Sequence, residues 1–509
     1  MTRPSVVIIG NGMAGTKVAE QIRARDPHRM LSVTILGDEV HEAYNRVLLS
    51  DVLAGRHGLD DIRLGSPGWL EHSEVEVYLG DPVVAIDRTD RQVRTAAGRT
   101  VGYDILVFAT GSQPNAPAVV GLHRPDGGLI PGAFFLRTVD DCREILAAVR
   151  SAHRVAVLGG GLLGVEAARA LAAKDADVVV LHASSYLLDR QLDGAAGDVL
   201  GRALYDLGIG VRLDATATRV IVDDDGRLGG VELHDGSYVL ADLLVVAAGT
   251  APRVELARAC GLSVGRGIVT DDTMRSIDDA TVFAIGDCAE RDGQVSGVVS
   301  AAWEHARVAA DHITGADTAV TQSRSRSITR LKADGLTVAS MGATHATEAA
   351  DEVVMVADSA KGSYRKLVIR HGRLRGAVVV GALSSIGTIC QLFERDALLP
   401  SDRLALLAPP AHGTAAAVAA PSPALMPLGT TVCQCNGVTK GVIQAAVLDG
   451  SRTVAAVAHT TRATTGCGSC RDVVCGLVDW LLAADTELAD SPAGPGTPDR
   501  RMSPVGVEA

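Results

Sequence analysis

The chain has 509 residues, 47% hydrophobic and only 3% aromatic, with 55 glycines and a formal net charge of −12. That length leaves room for roughly three or four domains, and a composition rich in Gly, Ala and Val suits parallel α/β layers with close backbone packing. The acidic balance argues against nucleic acid or an anionic membrane as the main partner. No apolar run approaches the roughly 18 residues of a membrane span, and nine cysteines, an odd number, point to reduced thiols in the cytoplasm.

In chain order, a predicted strand at Ser5–Ile9 comes almost at once, leaving no stretch for a signal peptide. It leads into Gly10-Asn11-Gly12-Met13-Ala14-Gly15, a helix through Ile22, and a second strand at Ser32–Leu36. In this strand–turn–helix context the first glycine makes the tight turn. The second lets a pyrophosphate approach the backbone, and the third lets helix and strand pack closely. The helix N-terminus adds free N–H donors and roughly half a positive charge. Asp38 and Glu39 stand at the end of the second strand, where a carboxylate accepts from ribose hydroxyls. A further strand, Ile105–Phe108, runs into Ala109-Thr110-Gly111-Ser112.

The pattern recurs as strand Arg154–Leu158, turn Gly159-Gly160-Gly161-Leu162-Leu163-Gly164, helix Val165–Ala173 and strand Asp177–Leu181. Here the second strand ends in His182-Ala183-Ser184-Ser185, with no carboxylate until Asp189. That removes one reason to exclude a 2′-phosphate, which His182, the serines and Arg190 could bind; the alternative is a solvated loop with no preference. Strand Leu243–Val246 leads into Ala247-Ala248-Gly249-Thr250, and Phe283-Ala284-Ile285-Gly286-Asp287 places a carboxylate within reach of a polyol hydroxyl.

From about residue 328 the pattern shifts to shorter alternating strands, including Tyr364–Arg370 and Leu374–Val380, and a helix near Ile386–Glu394. Residues 408–428 are Ala/Pro-rich and read as a semi-rigid tether. Beyond it Cys433-x-Cys435 and Cys467-x-x-Cys470 form two clamps, separated by predicted helices at Val442–Leu448 and Val454–His459. Four thiolates on this spacing suit either a 2Fe–2S cluster or structural zinc. Cys142, Cys260, Cys288, Cys390 and Cys475 are scattered singly and read as small buried hydrophobes. The proline-containing tail from Asp485 reads as disordered.

Taken together, the paired glycine turns and the segments around them resemble the two-dinucleotide-domain flavoprotein reductases. The resemblance implies that Gly10, Gly12, Gly15, Thr110, Gly111, Gly286 and Asp287 hold FAD, with Asp38 and Glu39 at its ribose. It implies that Gly159, Gly161, Gly164 and Glu166 hold NAD(P)H, with His182 and Gly249 beside them. Ala43-Tyr44-Asn45-Arg46-Val47-Leu48-Leu49-Ser50, Gln191-Leu192-Asp193, Thr329-Arg330-Leu331-Lys332 and the cysteine segment carry a closer resemblance, from Val6 to about Leu482. They are similar to the flavin half of the assimilatory nitrite reductase large subunit and its nitrate-assimilation relatives. This implies Arg46 along the FAD, and Trp303-Glu304, opening a helix, near the flavin ring; core packing is the alternative for Trp303. The cysteine segment resembles the bacterioferritin-associated-ferredoxin-like module, which together with fusion to a flavin domain favours 2Fe–2S on Cys433, Cys435, Cys467 and Cys470.

Two departures narrow the chemistry. From Met1 to Asp141 there is no cysteine, so the redox thiols of disulfide reductases and peroxidases have no counterpart. Asp51 stands where many ferredoxin reductases of the superfamily carry lysine. The chain also lacks the cysteine pairs of a sirohaem half and is not expected to reduce nitrite alone.

The expected fold is α/β: two Rossmann-like dinucleotide-binding domains, an α+β C-terminal domain and a small helical iron–sulfur module. The expected boundaries are an FAD-binding domain over 1–120 and 248–320, an NAD(P)H-binding domain over 121–247 and a C-terminal domain over 321–407. A linker over 408–428, a cluster module over 429–484 and a tail over 485–509 complete the chain. The expected function is an FAD-dependent NAD(P)H oxidoreductase that passes electrons through the cluster to a nitrate or nitrite reductase. No side chain is assigned a catalytic role, because hydride transfer needs no acid or base. The alternatives are the reductase component of an oxygenase system and a flavin/iron–sulfur redox sensor. The resemblance of 321–407 to an interface domain adds a homodimer. The sequence leaves the choice between NADH and NADPH open.

Overall fold

Five segments rich in Val and Ile pair in parallel in the order Val282–Ala284, Ile105–Phe108, Ser5–Ile9, Ser32–Leu36, Val75–Tyr78. Their β-branched side chains are buried on both faces, as a parallel sheet covered on each side requires. The helix Met13–Arg25 covers one face, running three residues beyond the expected Ile22, and packs against Val299–Thr314. A second parallel sheet repeats the plan in the order Gly210–Arg212, Asp177–Leu181, Arg154–Leu158, Leu243–Val246, Ala133–Phe135. Each sheet carries a three-stranded antiparallel appendage, built from Val83–Asp87 to Thr100–Gly102 in one and Ala217–Val222 to Tyr238–Leu240 in the other.

This computed structural model describes residues 3–65, 69–322, 328–331, 333–383, 385–408, 423, 426–433, 436–465 and 470–489. The chain divides into two compact units at about Ala420, with residues 465–467 grouped with the first. Within the first unit the two crossings between the parallel sheets, Ser112–Pro114 and Thr250–Pro252, lie side by side as an antiparallel pair. A five-stranded antiparallel sheet follows, ordered Ile328–Arg330, Val338–Gly342, Arg373–Val380, Ser363–Arg370, Glu352–Asp358, with helix Ile386–Glu394 against it.

The segment Gln191-Leu192-Asp193 joins that sheet to the second parallel domain. Asp193 caps helix Gly194–Asp206 by accepting from Ala196 N–H at 3.0 Å. Its other oxygen accepts from Tyr364 O–H at 2.8 Å and Lys366 Nζ at 2.7 Å, while Ser340 Oγ donates to Gln191 O at 2.6 Å. Burial pushes the Asp193 carboxyl up, but Lys366, the Ala196 amide and Tyr364 outweigh it and hold the carboxyl below its ordinary value. Removing one member of such a buried pair strands the other charge, so Lys366→Met should cost about 3 kcal/mol near neutral pH. The contribution is present above the ordinary carboxylate pKa of about 3.9 and lost as pH falls through the lower folded value. Denaturant unfolding of wild type and variant at pH 7, and again in acid where the difference should shrink, checks both parts.

The second unit has a short hairpin, Thr431–Cys433 with Val438–Thr439, and helices Lys440–Leu448, Val454–Thr461 and Arg471–Ala489. The last helix runs past Asp485, where disorder was expected to begin. Most of the expected tether, the Lys332 end of Thr329-Arg330-Leu331-Lys332, and residues 490–509 lie outside the described residues.

Candidate cofactor sites

At the first turn Gly10 has φ +112, and a Cβ there would sit 2.3 Å from Ala109 O. A Cβ on Gly15 would sit 2.0 Å from Gly10 O, so helix and turn close only without side chains. Gly12 differs. It is the N-cap of Met13–Arg25 with no side-chain cap, and among the described residues, its own turn and helix backbone aside, the atom within 4 Å of an added Cβ is Arg46 Nε, at 4.0 Å. An uncapped helix N-terminus beside a guanidinium, with open space before it, fits a pyrophosphate. Gly286 (φ +74) brings the Gly286-Asp287 turn onto the same helix, so close that a Cβ on Gly286 would sit 3.0 Å from Ala14 Cβ.

Around this turn the charged groups form one network. Arg46 pairs with Glu39, which also accepts from Tyr44 O–H at 2.7 Å, and the Arg46 guanidinium lies 4.9 Å from the Tyr44 ring centre. Arg46 Nη1 donates to Arg137 O at 3.3 Å. Arg137 Nη2 donates to Ser112 Oγ at 2.7 Å and to Asp287 at 3.1 Å, and Ser112 Oγ donates to Asp287 at 2.7 Å. Asp38 pairs with Arg253 at 2.5 Å, whose carbonyl accepts from Thr110 Oγ1 at 2.8 Å and whose N–H donates to Gly111 O at 2.9 Å. Burial lowers the Arg137 pKa, with Asp287 opposing it. At Arg46 burial also pulls down, but Tyr44 and Glu39 outweigh it and the net shift is upward.

The helix expected to open at Trp303 begins at Val299, so Trp303 lies within it, buried, with the Lys17 ammonium 5.7 Å from its ring centre. Two residues on, His305 Nδ1 accepts from Gly286 N–H at 3.2 Å. Burial brings its pKa to about 4, so at neutral pH the ring stays a neutral acceptor for that turn.

The second turn repeats the first almost atom for atom. A Cβ on Gly159 (φ +121) would sit 2.3 Å from Ala247 O, and one on Gly164 would sit 1.8 Å from Gly159 O. Gly161 caps helix Leu162–Ala172 with no side-chain cap, and among the described residues, its own turn and helix backbone aside, nothing lies within 4 Å of an added Cβ. Glu166 is half-buried in that helix. His182 is buried and its Nδ1 accepts from Gly160 N–H at 3.1 Å. Asp189 returns to within 3.7 Å of His182 Nε2 and accepts from Ser184 Oγ at 2.9 Å, while Ser185 and Arg190 are exposed. Gly249 (φ +91) packs against Asn115 at the inter-sheet crossing.

The helix Leu49–Ala54 carries Ser50 and Asp51, and Asp51 pairs with Arg56, which also pairs with Asp334 at 2.6 Å. The first cysteine in the chain, Cys142, packs behind this helix with Sγ 3.6 Å from Leu49 O. Burial pushes its thiol up to about 12, so it supplies no thiolate.

In the second unit Cys433, on the hairpin, and Cys470, just before helix Arg471–Ala489, belong to one buried cluster with Ile443, Val457, Val474 and Leu477. Val474 N–H donates to Cys470 O at 2.9 Å. The buried Lys440 ammonium donates to Pro423 O and Met426 O at 2.6 and 2.7 Å, and Asn436 Nδ2 donates to Arg462 O at 2.5 Å. Cys435 and Cys467 lie outside the described residues, among which no three metal-ligating side chains come together. Two clamps whose described members share one buried core suit a four-thiolate site.

Sequence reasoning missed Arg137, Arg253 and His305. Arg253 follows the Gly249 segment closely and could have been found there. Arg137 sits in no motif.

Two parallel sheets, each with a bare helix N-terminus behind a glycine turn, define a flavoprotein reductase with two dinucleotide-binding domains. The chain belongs to the pyridine nucleotide-disulphide oxidoreductase family, whose model matches residues 4–312. Residues 328–397 match the rubredoxin NAD+ reductase C-terminal domain, and 431–479 a BFD-like [2Fe-2S] binding domain. It is an FAD-dependent NAD(P)H oxidoreductase with a 2Fe–2S module, as the sequence implied.

The assimilatory nitrate reductase electron transfer subunit of Bacillus subtilis is 33% identical over 97% of this chain and 62% of its own length. The nitrite reductase (NADH) large subunit of Escherichia coli is 32% identical over 95% and 56%. The chain therefore spans less than two thirds of the length of these relatives. Among solved structures, the ferredoxin reductase for the CYP199A2 system from Rhodopseudomonas palustris superposes with a TM-score of 0.66 at 27% identity, covering 74% of this chain and 91% of that one. Among the described residues, no helix is long and apolar enough to cross a membrane.

Proposed function

We propose that this protein takes electrons from a reduced nicotinamide nucleotide and delivers them one at a time to a nitrate or nitrite reductase of nitrogen assimilation, in the cytoplasm. When bound, the flavin accepts an electron pair and releases single electrons, and the cluster carries them onward. The first turn, Gly10, Gly12 and Gly15, with Arg46, Thr110, Gly111, Gly286 and Asp287, holds the FAD; Asp38 and Glu39 orient the arginines around it. Trp303 shields it. Gly159, Gly161, Gly164, Glu166, His182 and Gly249 hold the nucleotide. Cys433, Cys435, Cys467 and Cys470 hold the cluster. The protein's part is to position these groups and keep water out.

The observation that carries this reading is the union in one chain of two bare glycine turns with a BFD-like module and a first segment, Met1 to Asp141, that has no cysteine. The relative named as a biphenyl dioxygenase system ferredoxin–NAD(+) reductase component matches only 56% of this chain, which disfavours the oxygenase alternative. The exposed Val353 and Met355 on the edge strand Glu352–Asp358 support a homodimer, though they name no partner.

Anaerobic titration of the cluster-intact protein, following flavin absorbance and low-temperature EPR together, tests the relay. Flavin bleaching followed by a 2Fe–2S spin signal is expected. Bleaching with no spin signal, and zinc in place of iron, would remove the case for electron delivery through the cysteines.

A further inference from the structure

In a dinucleotide-binding domain the residue just after the second strand meets the ribose nearest the adenine, and its charge decides whether a 2′-phosphate is admitted. Here that residue is His182. Its Nδ1 accepts from Gly160 N–H, so the neutral ring carries its proton on Nε2. Nε2 is buried and has no hydrogen-bond partner among the described residues.

The following loop folds back onto the same glycine. Leu188 N–H donates to Gly160 O at 2.9 Å, and a Cβ on Gly160 would lie 2.5 Å from Leu187 Cδ2. Both backbone groups of Gly160 are thus held, one by His182 and one by the loop. To make the return, the buried Leu188 adopts φ +53, a left-handed conformation unfavourable for a bulky side chain. The next residue is Asp189. Its Oδ1 lies 3.7 Å from His182 Nε2, and its Oδ2 accepts from Ser184 Oγ at 2.9 Å.

The carboxylate absent from the strand end is therefore brought back from seven positions downstream. We propose that Asp189, held by Ser184 beside His182, selects NADH over NADPH. It accepts from the 2′-hydroxyl of the adenosine ribose and repels a 2′-phosphate, while His182 Nε2–H offers the neighbouring hydroxyl a donor. Such a site discriminates by repulsion as well as by fit. The inference rests on the reading of the second glycine turn as the nicotinamide-nucleotide site.

Calorimetric titration of the FAD-loaded full chain with the unreactive 1,4,5,6-tetrahydro analogues of NADH and NADPH separates the two. Wild type should bind the NADH analogue at least about tenfold more tightly. Asp189→Asn, which keeps the size and loses the charge, should bring the two affinities within about threefold. Asp189→Arg should reverse the order. Equal affinities in wild type, a preference for the NADPH analogue, or a ratio unmoved in Asp189→Asn would overturn the role of Asp189 and hand the choice to Arg190 or to neither. Binding of neither analogue by a protein that retains FAD would instead overturn the reading of the domain itself.

Discussion

Replacing Gly161 with alanine should leave the melting temperature within about 1 °C of wild type yet lower kcat/KM for flavin reduction by NADH about tenfold to a hundredfold, mainly through KM. The position has φ −77 and ψ −178, which any residue adopts, and among the described residues outside its own turn and helix backbone nothing lies within 4 Å of the added methyl. The alanine therefore fits the ligand-free protein, and what it obstructs is the approach of the pyrophosphate to the helix N-terminus. Gly164→Ala makes the matched contrast. Its Cβ would fall 1.8 Å from Gly159 O, a backbone atom that cannot swing aside, so the turn must open and stability must fall with activity. Scanning calorimetry beside steady-state kinetics reads both. Unchanged kinetics in Gly161→Ala would mean that the nucleotide does not cross this turn.

The parts legible in the sequence are those written locally. Strand, glycine turn and helix lie within some twenty-five residues in each copy, and the same two close approaches recur in both: the first glycine on an alanine carbonyl (Ala109 or Ala247), and the third glycine on the first. The helices of the cysteine module were legible for the same reason, since Thr439 and Thr453 cap them from the sequence side. Val299–Thr314 has no capping side chain at Val298, and its start was accordingly misread at Trp303. Arg137 and Asp287 are 150 positions apart and meet because Arg137 follows strand Ala133–Phe135 of the second parallel sheet while Asp287 follows strand Val282–Ala284 of the first. Asp38 and Glu39 were legible as carboxylates at a strand end, but not their engagement by Arg253, Arg46 and Tyr44. The return of Asp189 to within 3.7 Å of His182 was not legible either, because no propensity foretells a buried leucine at φ +53.

The family takes its name from disulfide chemistry, yet the flavin-side helix here offers Ser50 and an Asp51 already paired with Arg56. The nearby Cys142 is held as a thiol by burial. Neither the described part of that helix nor Cys142 offers a redox thiol, and under the proposed function the module at 431–479 is the candidate for the electron exit.

Cys470→Ser should therefore abolish electron delivery to a one-electron acceptor such as cytochrome c, by at least about a hundredfold, while flavin reduction by NADH continues at its wild-type rate. The EPR signal of the cluster should disappear with it. Cys470 and Cys433 are both buried in the apolar cluster, so a hydroxyl at either costs about 1–3 kcal/mol whether or not a metal is bound, and the melting temperature of the variant, measured beside its activity, separates misfolding from loss of the cluster. Cys475→Ser is the control, because that thiol is exposed on helix Arg471–Ala489, with Asp479 as its neighbour at 3.7 Å. Loss of both activities in Cys470→Ser would point to a module that supports the flavin domain. Retention of both would place the electron exit at the flavin, and the four cysteines would then be structural.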